Sequence, residues 1–359
     1  VEKTAKIYVA GHRGLVGNAL CKVLQQKGYT NLIYRTHAEL DLTNQQAVEA
    51  FFEEERPEYV FLAAARVGGI VANNNFRGAF LYENMMIQNN VIHQSYLYGV
   101  KKLLFLGSTC VYPKDCPQPM KEEYLLTSPL EYTNEPYAIA KITGLKMCES
   151  YNLQYGTNFI SVMPTNLYGP NDNFDLETSH VLPALLRKMI LGKYLHQNDF
   201  DSIRKDLRKR PIEGLDHTAS EESIILILKK YGVRQTADSV EVEIWGSGTP
   251  MREFLYSEDM ADACVHIMER VDFKDTYDKN QKEIRNTHIN IGTGQEISIR
   301  ELAETIKDIV GFKGSLYFNT SKPDGTMRKL TDSSRAINFD WRVTHELEKG
   351  VKKLYFFNT

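Results

Sequence analysis

Tyr137 and Lys141 stand four residues apart in the run Tyr137-Ala-Ile-Ala-Lys141, a spacing that puts both side chains on one face of a helix. An ammonium beside a phenol favours the phenolate and lowers the phenol's pKa toward neutrality, so such a pair can pass a proton to or from a carbonyl. The spacing is cheap in a chain with 20 tyrosines, and Tyr98 and Lys102 share it. Gly99 ends that helix and Lys102 opens a strand, so the second copy is a coincidence. Ser108 supplies a third group. It is expected at the carboxyl end of the strand Lys102–Gly107, where ligands of open α/β sheets bind, with its hydroxyl able to hold a substrate oxygen.

A second constellation lies at the other end of the chain. Gly11, His12, Arg13, Gly14, Leu15, Val16 and Gly17 fall where a first strand, Lys6–Ala10, turns into a first helix. Glycines at this spacing let the backbone turn tightly and approach a pyrophosphate, which the free N–H groups and the helix dipole stabilise. The strand Asn31–Arg35 runs on to Tyr34-Arg35-Thr36-His37, and no acid arrives before Glu39. A ribose 2′-hydroxyl calls for a carboxylate there and a 2′-phosphate for a cation, so the expected cofactor is NADPH. Arg13 is its first partner and Arg35 or His37 its second; the competing reading of Arg35 is a solvated surface residue. Asp41, followed by Leu42, is placed to meet the adenine edge.

These groups need a scaffold, and the spacing of strands and helices supplies one. Helices are expected over Leu15–Lys27, Asn44–Glu55, Arg77–Tyr98 and Tyr137–Tyr155, alternating with strands at Tyr59–Ala64, Lys102–Gly107 and Phe159–Met163. The strands are continuous apolar runs, as in a parallel sheet covered on both faces. This rhythm predicts an α/β fold: a Rossmann-type doubly wound parallel sheet with a smaller, interleaved C-terminal α+β substrate domain. The first domain is expected over 1–168 with returns near 252–262 and 286–296, and the second over 169–251 and 297–359. A charged stretch near 192–241, with a helix at Ser220–Tyr231, reads as an insertion: a lid, an oligomer contact or a solvated excursion.

Composition bounds the function. The chain has 359 residues, 42% hydrophobic and 25% charged, with a formal charge of −3. That excludes a disordered chain and argues against a general nucleic-acid binder, which needs a basic surface. The longest apolar run, Tyr59–Ala65, is far short of the ~18 residues of a membrane span, and no secretory h-region precedes the first strand, so a cytoplasmic location is expected. Five scattered cysteines form no Cys-x-x-Cys pair, and no metal site is expected.

Ser108, Tyr137 and Lys141 together resemble the proton-handling set of the short-chain dehydrogenases/reductases. Longer runs resemble the GDP-L-fucose synthase family: Ala63–Asn74, Leu103–Pro113, Thr133–Lys141, Ser161–Pro170, Ser179–Leu186, Trp245–Phe254 and Ser321–Thr326. The likeness covers nearly the whole chain outside about 192–241. It implies 3,5-epimerisation of GDP-4-keto-6-deoxy-D-mannose, then NADPH-dependent reduction at C4, in a homodimer. It also implies that Cys110 is the base and His180 the proton donor, against the plainer readings of a buried inert cysteine and a helix-capping histidine. Leu106, Gly107, Ser108 and Thr109 would line the nicotinamide with Pro164, Thr165, Asn166 and Leu167, and His180 would reach it. Arg187 or Lys188 would meet the diphosphate with Arg252, Trp245 the nucleotide sugar, and Asp324 and Lys329 the nucleotide end. The chain departs from the family at His37, where an arginine is usual. Two rivals stand beside this reading. One is another nucleotide-sugar epimerase, reductase or dehydratase, although a dehydratase would carry an acidic pair where Thr109-Cys110 stands. The other is an idle NADP-binding scaffold.

Overall fold

The computed structural model describes residues 1–68 and 70–359; Gly69, within the Ala63–Asn74 run, lies outside the described residues. The chain forms two compact units, residues 1–171, 253–295 and 330–346 in the first and 172–252, 296–329 and 347–359 in the second.

The first unit is built on six parallel strands in the order Ile289–Ile291, Phe159–Pro164, Lys102–Leu106, Tyr59–Leu62, Ile7–Ala10, Leu32–Ile33. Every residue of Ile7–Ala10, Lys102–Leu106 and Phe159–Pro164 is buried, because helices cover both faces and leave no solvent side on which polar residues would alternate. On one face Leu20 and Leu24 of the helix Leu15–Gln26 pack with Met260, Cys264 and Val265 of the helix Ser257–Arg270. On the other, Phe51 and Phe52 of Gln45–Glu55, Val91 and Ile92 of Arg77–Leu97 and Leu145 of Glu135–Tyr155 cover Tyr8, Leu62 and Phe105. Each such fully buried side chain is worth about 1.5–3 kcal/mol of transfer free energy.

The return of the chain to this unit is larger than the expected 252–262 and 286–296. The helix Ser257–Arg270 spans the gap between them because its apolar face belongs to the first sheet's core. Residues 330–346 join it through Trp341 Nε1, which donates to Asp262 Oδ2 at 3.1 Å, and through Thr344 and His345, which close on the buried Asp259.

In the second unit Val240–Trp245 pairs in parallel with Ser315–Asn319 and antiparallel with Val233–Gln235. A smaller sheet sets Met251–Arg252 between Ile297–Ser298 and Arg328–Lys329. The stretch 192–241 is no solvated excursion. It completes the helix Val181–His196 and then forms Phe200–Lys209, capped by Asp199, and Glu221–Lys230, capped by Ser220. Ile203, Leu207, Ile224 and Leu228 are fully buried, so these helices are part of the unit's core.

Candidate active site

In the first unit the glycine turn is fixed by close packing. Gly11 has φ +85°, and a Cβ there would lie 2.7 Å from the Ala64 nitrogen; a Cβ on Gly17 would lie 2.1 Å from the Gly11 carbonyl oxygen. Gly14 is the N-cap of Leu15–Gln26, with no side chain capping it and no acid in the first turn. The helix therefore keeps free N–H groups at its positive end, a cradle that fits a dinucleotide pyrophosphate. Beside it the His12 ring stacks on Tyr34 at 4.7 Å, and burial lowers the His12 pKa. Of the cations named for the 2′-phosphate, Arg13 and His37 are exposed. Arg35 is committed to Glu55, at 2.5 Å, with its guanidinium 5.5 Å over the Phe51 ring. Asp41 is held by the N–H and hydroxyl of Thr43, which lower its pKa, and lies 3.9 Å from His37; Leu42 is buried.

The proton-handling groups meet at the end of Lys102–Leu106. Ser108 is extended and caps a single 3-10 turn, Thr109–Val111, its Oγ accepting the Cys110 N–H at 3.3 Å. A Cβ at Gly107 would lie 2.2 Å from Met163 Sδ, so that side chain would have to shift to admit any larger residue. Lys141 Nζ donates to the Leu106 carbonyl at 2.7 Å and lies 5.7 Å from the centroid of the Tyr137 ring. Burial pulls the Lys141 ammonium down to about 8, opposed by the charge of a Cys110 thiolate. Tyr137 shows the reverse of the sequence expectation: burial, reinforced by Cys110, raises it well above 10. Desolvation sets this direction, and Tyr137 stays a phenol that can donate. The charge of Cys110, which stands on the turn that Ser108 caps, bears on both. Nearby, Thr165 N–H donates to the Ile291 carbonyl and Asn166 Nδ2 to the Glu253 carbonyl at 2.8 Å, while Leu167 pairs with Leu255.

Glu253 is a residue that sequence reasoning missed. It is wholly buried, and its carboxylate accepts the N–H groups of Thr293 at 2.5 Å, Gly294 at 2.7 Å and Thr331 at 2.9 Å. Its only signal in the sequence is its place between Arg252 and Phe254. Asp172, also unassigned, has a carboxyl that burial raises to about 7.

In the second unit His180 precedes Val181–His196 but makes no side-chain capping bond, which removes the capping reading. Desolvation by surrounding protein lowers its pKa, although the residue keeps accessible surface. Arg187 does not fit the diphosphate role. It is 1% exposed, with Nε and Nη2 on Asp206 Oδ2 at 3.0 and 2.7 Å, Nη1 on the Phe174 carbonyl and Nη2 on the Arg210 carbonyl. Lys188 lies half-buried with Nζ 3.4 Å from the Glu243 carbonyl, and burial lowers it to about 8. Arg252 is half-buried and desolvated, and Lys329 sits opposite it across two paired strands. Trp245 is 58% exposed. Asp324 caps the turn beside it, accepting from Ser247 N–H and Oγ at 2.9 and 2.8 Å, against a Gly246 whose φ is +81°. Among the described residues no group of three or more His, Cys, Asp or Glu gathers as a metal site would require.

A doubly wound sheet with this turn and this Ser/Tyr/Lys cluster is the scaffold of nucleotide-sugar epimerases and reductases, and the chain belongs to the NAD dependent epimerase/dehydratase family, matched over residues 7–205 and 216–292. Within it the chain belongs with the GDP-L-fucose synthases. It is 48% identical to GDP-L-fucose synthase 1 of Arabidopsis thaliana, over 99% of this chain and 93% of that protein. It is 46% identical to GDP-L-fucose synthase of Escherichia coli K12, over 98% and 95%. Among solved structures it resembles a GDP-D-glycero-L-gluco-heptose synthase from Campylobacter jejuni crystallised in the presence of NADPH, with a TM-score of 0.91, 46% identity and 99% of both chains covered.

Proposed function

We propose that the protein converts GDP-4-keto-6-deoxy-D-mannose to GDP-L-fucose by epimerising C3 and C5 and then reducing C4. The observation that carries this reading is the single turn after Leu106, on which a thiol, a hydroxyl and the Tyr137–Lys141 pair converge, in a chain nearly half identical to synthases of this reaction along its whole length. C3 and C5 both flank the C4 ketone, so their protons are acidic, and a Cys110 thiolate is a competent base for either. His180 returns a proton to the opposite face, which inverts the carbon; an acid/base group of this kind contributes roughly 10²–10⁴-fold. Ser108 holds the C4 oxygen and Tyr137 gives it a proton, while Lys141, fixed on the Leu106 carbonyl, sets the field at the phenol.

The cofactor is NADPH; when bound, it supplies the hydride that reaches C4. The glycine turn would hold its pyrophosphate, Arg13 and His37 its 2′-phosphate, Asp41 the adenine edge, and Pro164 to Leu167 with Leu106 to Thr109 the nicotinamide. Lys188 and Arg252 are the cations offered to the substrate diphosphate, where a charge-assisted contact serves best; Trp245 meets the nucleotide sugar, and Asp324 and Lys329 its base end. The helices Arg77–Leu97 and Glu135–Tyr155 carry exposed Tyr82, Leu97, Ile139 and Leu153, which supports a homodimer closed through these helices. Among the described residues no cysteine is in a disulfide, in keeping with the cytoplasmic location proposed here, and no helix is long and apolar enough to cross a membrane.

A second reading has its own support. A structure at the same identity is that of a GDP-heptose synthase, so a seven-carbon GDP-4-ketose is the competing substrate. Following NADPH consumption with GDP-4-keto-6-deoxy-D-mannose tests the proposal: rapid oxidation is expected, and no oxidation, with turnover of the heptose instead, would remove it.

A further inference from the structure

The turn carrying Ser108 and Cys110 is tied down from its far end by a buried polar cluster that neither the cofactor site nor the acid/base set uses. Tyr112 closes the turn, its N–H donating to the Thr109 carbonyl at 3.3 Å, and is 3% exposed. Its hydroxyl lies 2.9 Å from His288 Nε2 and donates to Asn290 Oδ1 at 2.5 Å. Asn290 donates from its backbone to Glu122 Oε1 and from Nδ2 to the Met120 carbonyl, both at 3.0 Å. Arg335 donates Nη1 to the carbonyls of Asn286 and His288 at 2.5 and 2.9 Å. His288 and Asn290 are wholly buried.

The chemistry of these partners leaves one arrangement. The single phenolic proton goes to Asn290, whose Oδ1 can only accept, so the phenol oxygen must accept from His288 Nε2–H. Burial, with Arg335 and Lys146 nearby, holds His288 well below its ordinary pKa, so it is neutral. The turn is thus pinned at one side by Lys141 on the Leu106 carbonyl and at the other by Tyr112 on the edge strand Ile289–Ile291.

We infer that Tyr112 is a positioning residue for Cys110: the hydroxyl clamped between His288 and Asn290 sets where the sulfur stands two residues away. The inference rests on the proposed role of Cys110 as base. Proton abstraction from carbon demands close alignment, and a misplacement of about 1 Å can cost roughly 10²-fold. The hydride step depends on Tyr137 and Lys141, which hang from the opposite side of the turn.

The test is Tyr112→Phe in the full-length protein, reading solvent-deuterium exchange at C3 and C5 beside hydride transfer in reverse, from GDP-L-fucose to NADP⁺. Exchange should fall roughly 10–100-fold with KM for the sugar unchanged, while reverse hydride transfer stays within about twofold of wild type. Exchange at the wild-type rate, or equal loss of both steps, overturns the inference. Should Tyr112→Phe not fold, His288→Gln and His288→Leu carry the test: the amide N–H of the first restores the donor and should keep exchange, the second should lose it, and identical behaviour refutes the clamp. Cys110→Ser in the same assay separates the two levels. If it leaves exchange intact, the base is wrongly assigned and the inference goes with it; if it abolishes exchange while Tyr112→Phe does not, only the positioning role fails.

Discussion

Arg187 and Lys188 are adjacent cations on one helix, and substituting each to methionine should split stability from binding. Arg187 makes four hydrogen bonds at 1% exposure, two of them to Asp206. Its removal leaves that carboxylate, 11% exposed, with Arg210 at 3.9 Å as its remaining cation among the described residues. Stranding a buried charge costs about 3–5 kcal/mol, and methionine fills the space of the lost stem, so little cavity penalty adds to it. At about 2–3 kcal/mol per M, the urea midpoint should fall by about 1–2.5 M. Adding Asp206→Leu should recover most of the loss, because the pair is then replaced rather than broken. Lys188→Met removes an ammonium that burial already disfavours, so the midpoint should move little. The charged contact proposed for it with the diphosphate would be worth about 1.5–3 kcal/mol, or roughly 10–150-fold in KM for the GDP-sugar. Denaturation curves and steady-state kinetics on the two variants decide the matter. An Arg187→Met protein with a wild-type midpoint and a raised KM would refute the reasoning.

Three further substitutions probe the rest of the site. Gly17→Ala forces a Cβ to 2.1 Å from the Gly11 carbonyl, so the turn must open, and NADPH affinity by fluorescence titration should fall at least about 10²-fold. Glu253→Gln turns an amide N–H₂ toward backbone N–H donors of Thr293 and Gly294 or of Thr331; a loss of about 3–5 kcal/mol is expected, with faster hydrogen exchange at those three amides. Lys141 has a folded pKa of about 8 against an ordinary 10.5. Between these values the unfolded chain holds a proton that the folded one lacks, so this group makes stability rise with pH, by at most about 1.4 kcal/mol per unit. The stability of wild type relative to Lys141→Met should therefore climb from pH 8 to 10.5, and a gap independent of pH would contradict the buried ammonium.

Much of the scaffold was legible because its physics is local. Strands covered on both faces read as unbroken apolar runs, and the turn after Ala10 needs glycine for reasons that a neighbouring strand and its own carbonyl enforce. The Ser108, Tyr137 and Lys141 set followed from strand-end and helix spacing. What sequence could not show depends on segments that meet only in three dimensions. Which of Arg187 and Lys188 is spent on the fold is decided by Asp206, on a helix whose only buried apolar residues, Ile203 and Leu207, are lost among charges. The knot at Glu253 joins three distant stretches, and the cluster around Tyr112 draws on residues from Met120 to Arg335. The pKa of Tyr137 is set by desolvation, which spacing alone does not reveal and which runs against the shift toward neutrality expected from Lys141.

One measurement addresses the central claim, that a single chain inverts two carbons before reducing a third. Wild-type protein is given GDP-4-keto-6-deoxy-D-mannose and NADPH in heavy water, and the product is read by NMR and mass spectrometry. The account predicts GDP-L-fucose with deuterium at both C3 and C5, and loss of that label with Cys110→Ser. A product reduced at C4 with protium retained at both positions would show a plain ketoreductase and contradict it.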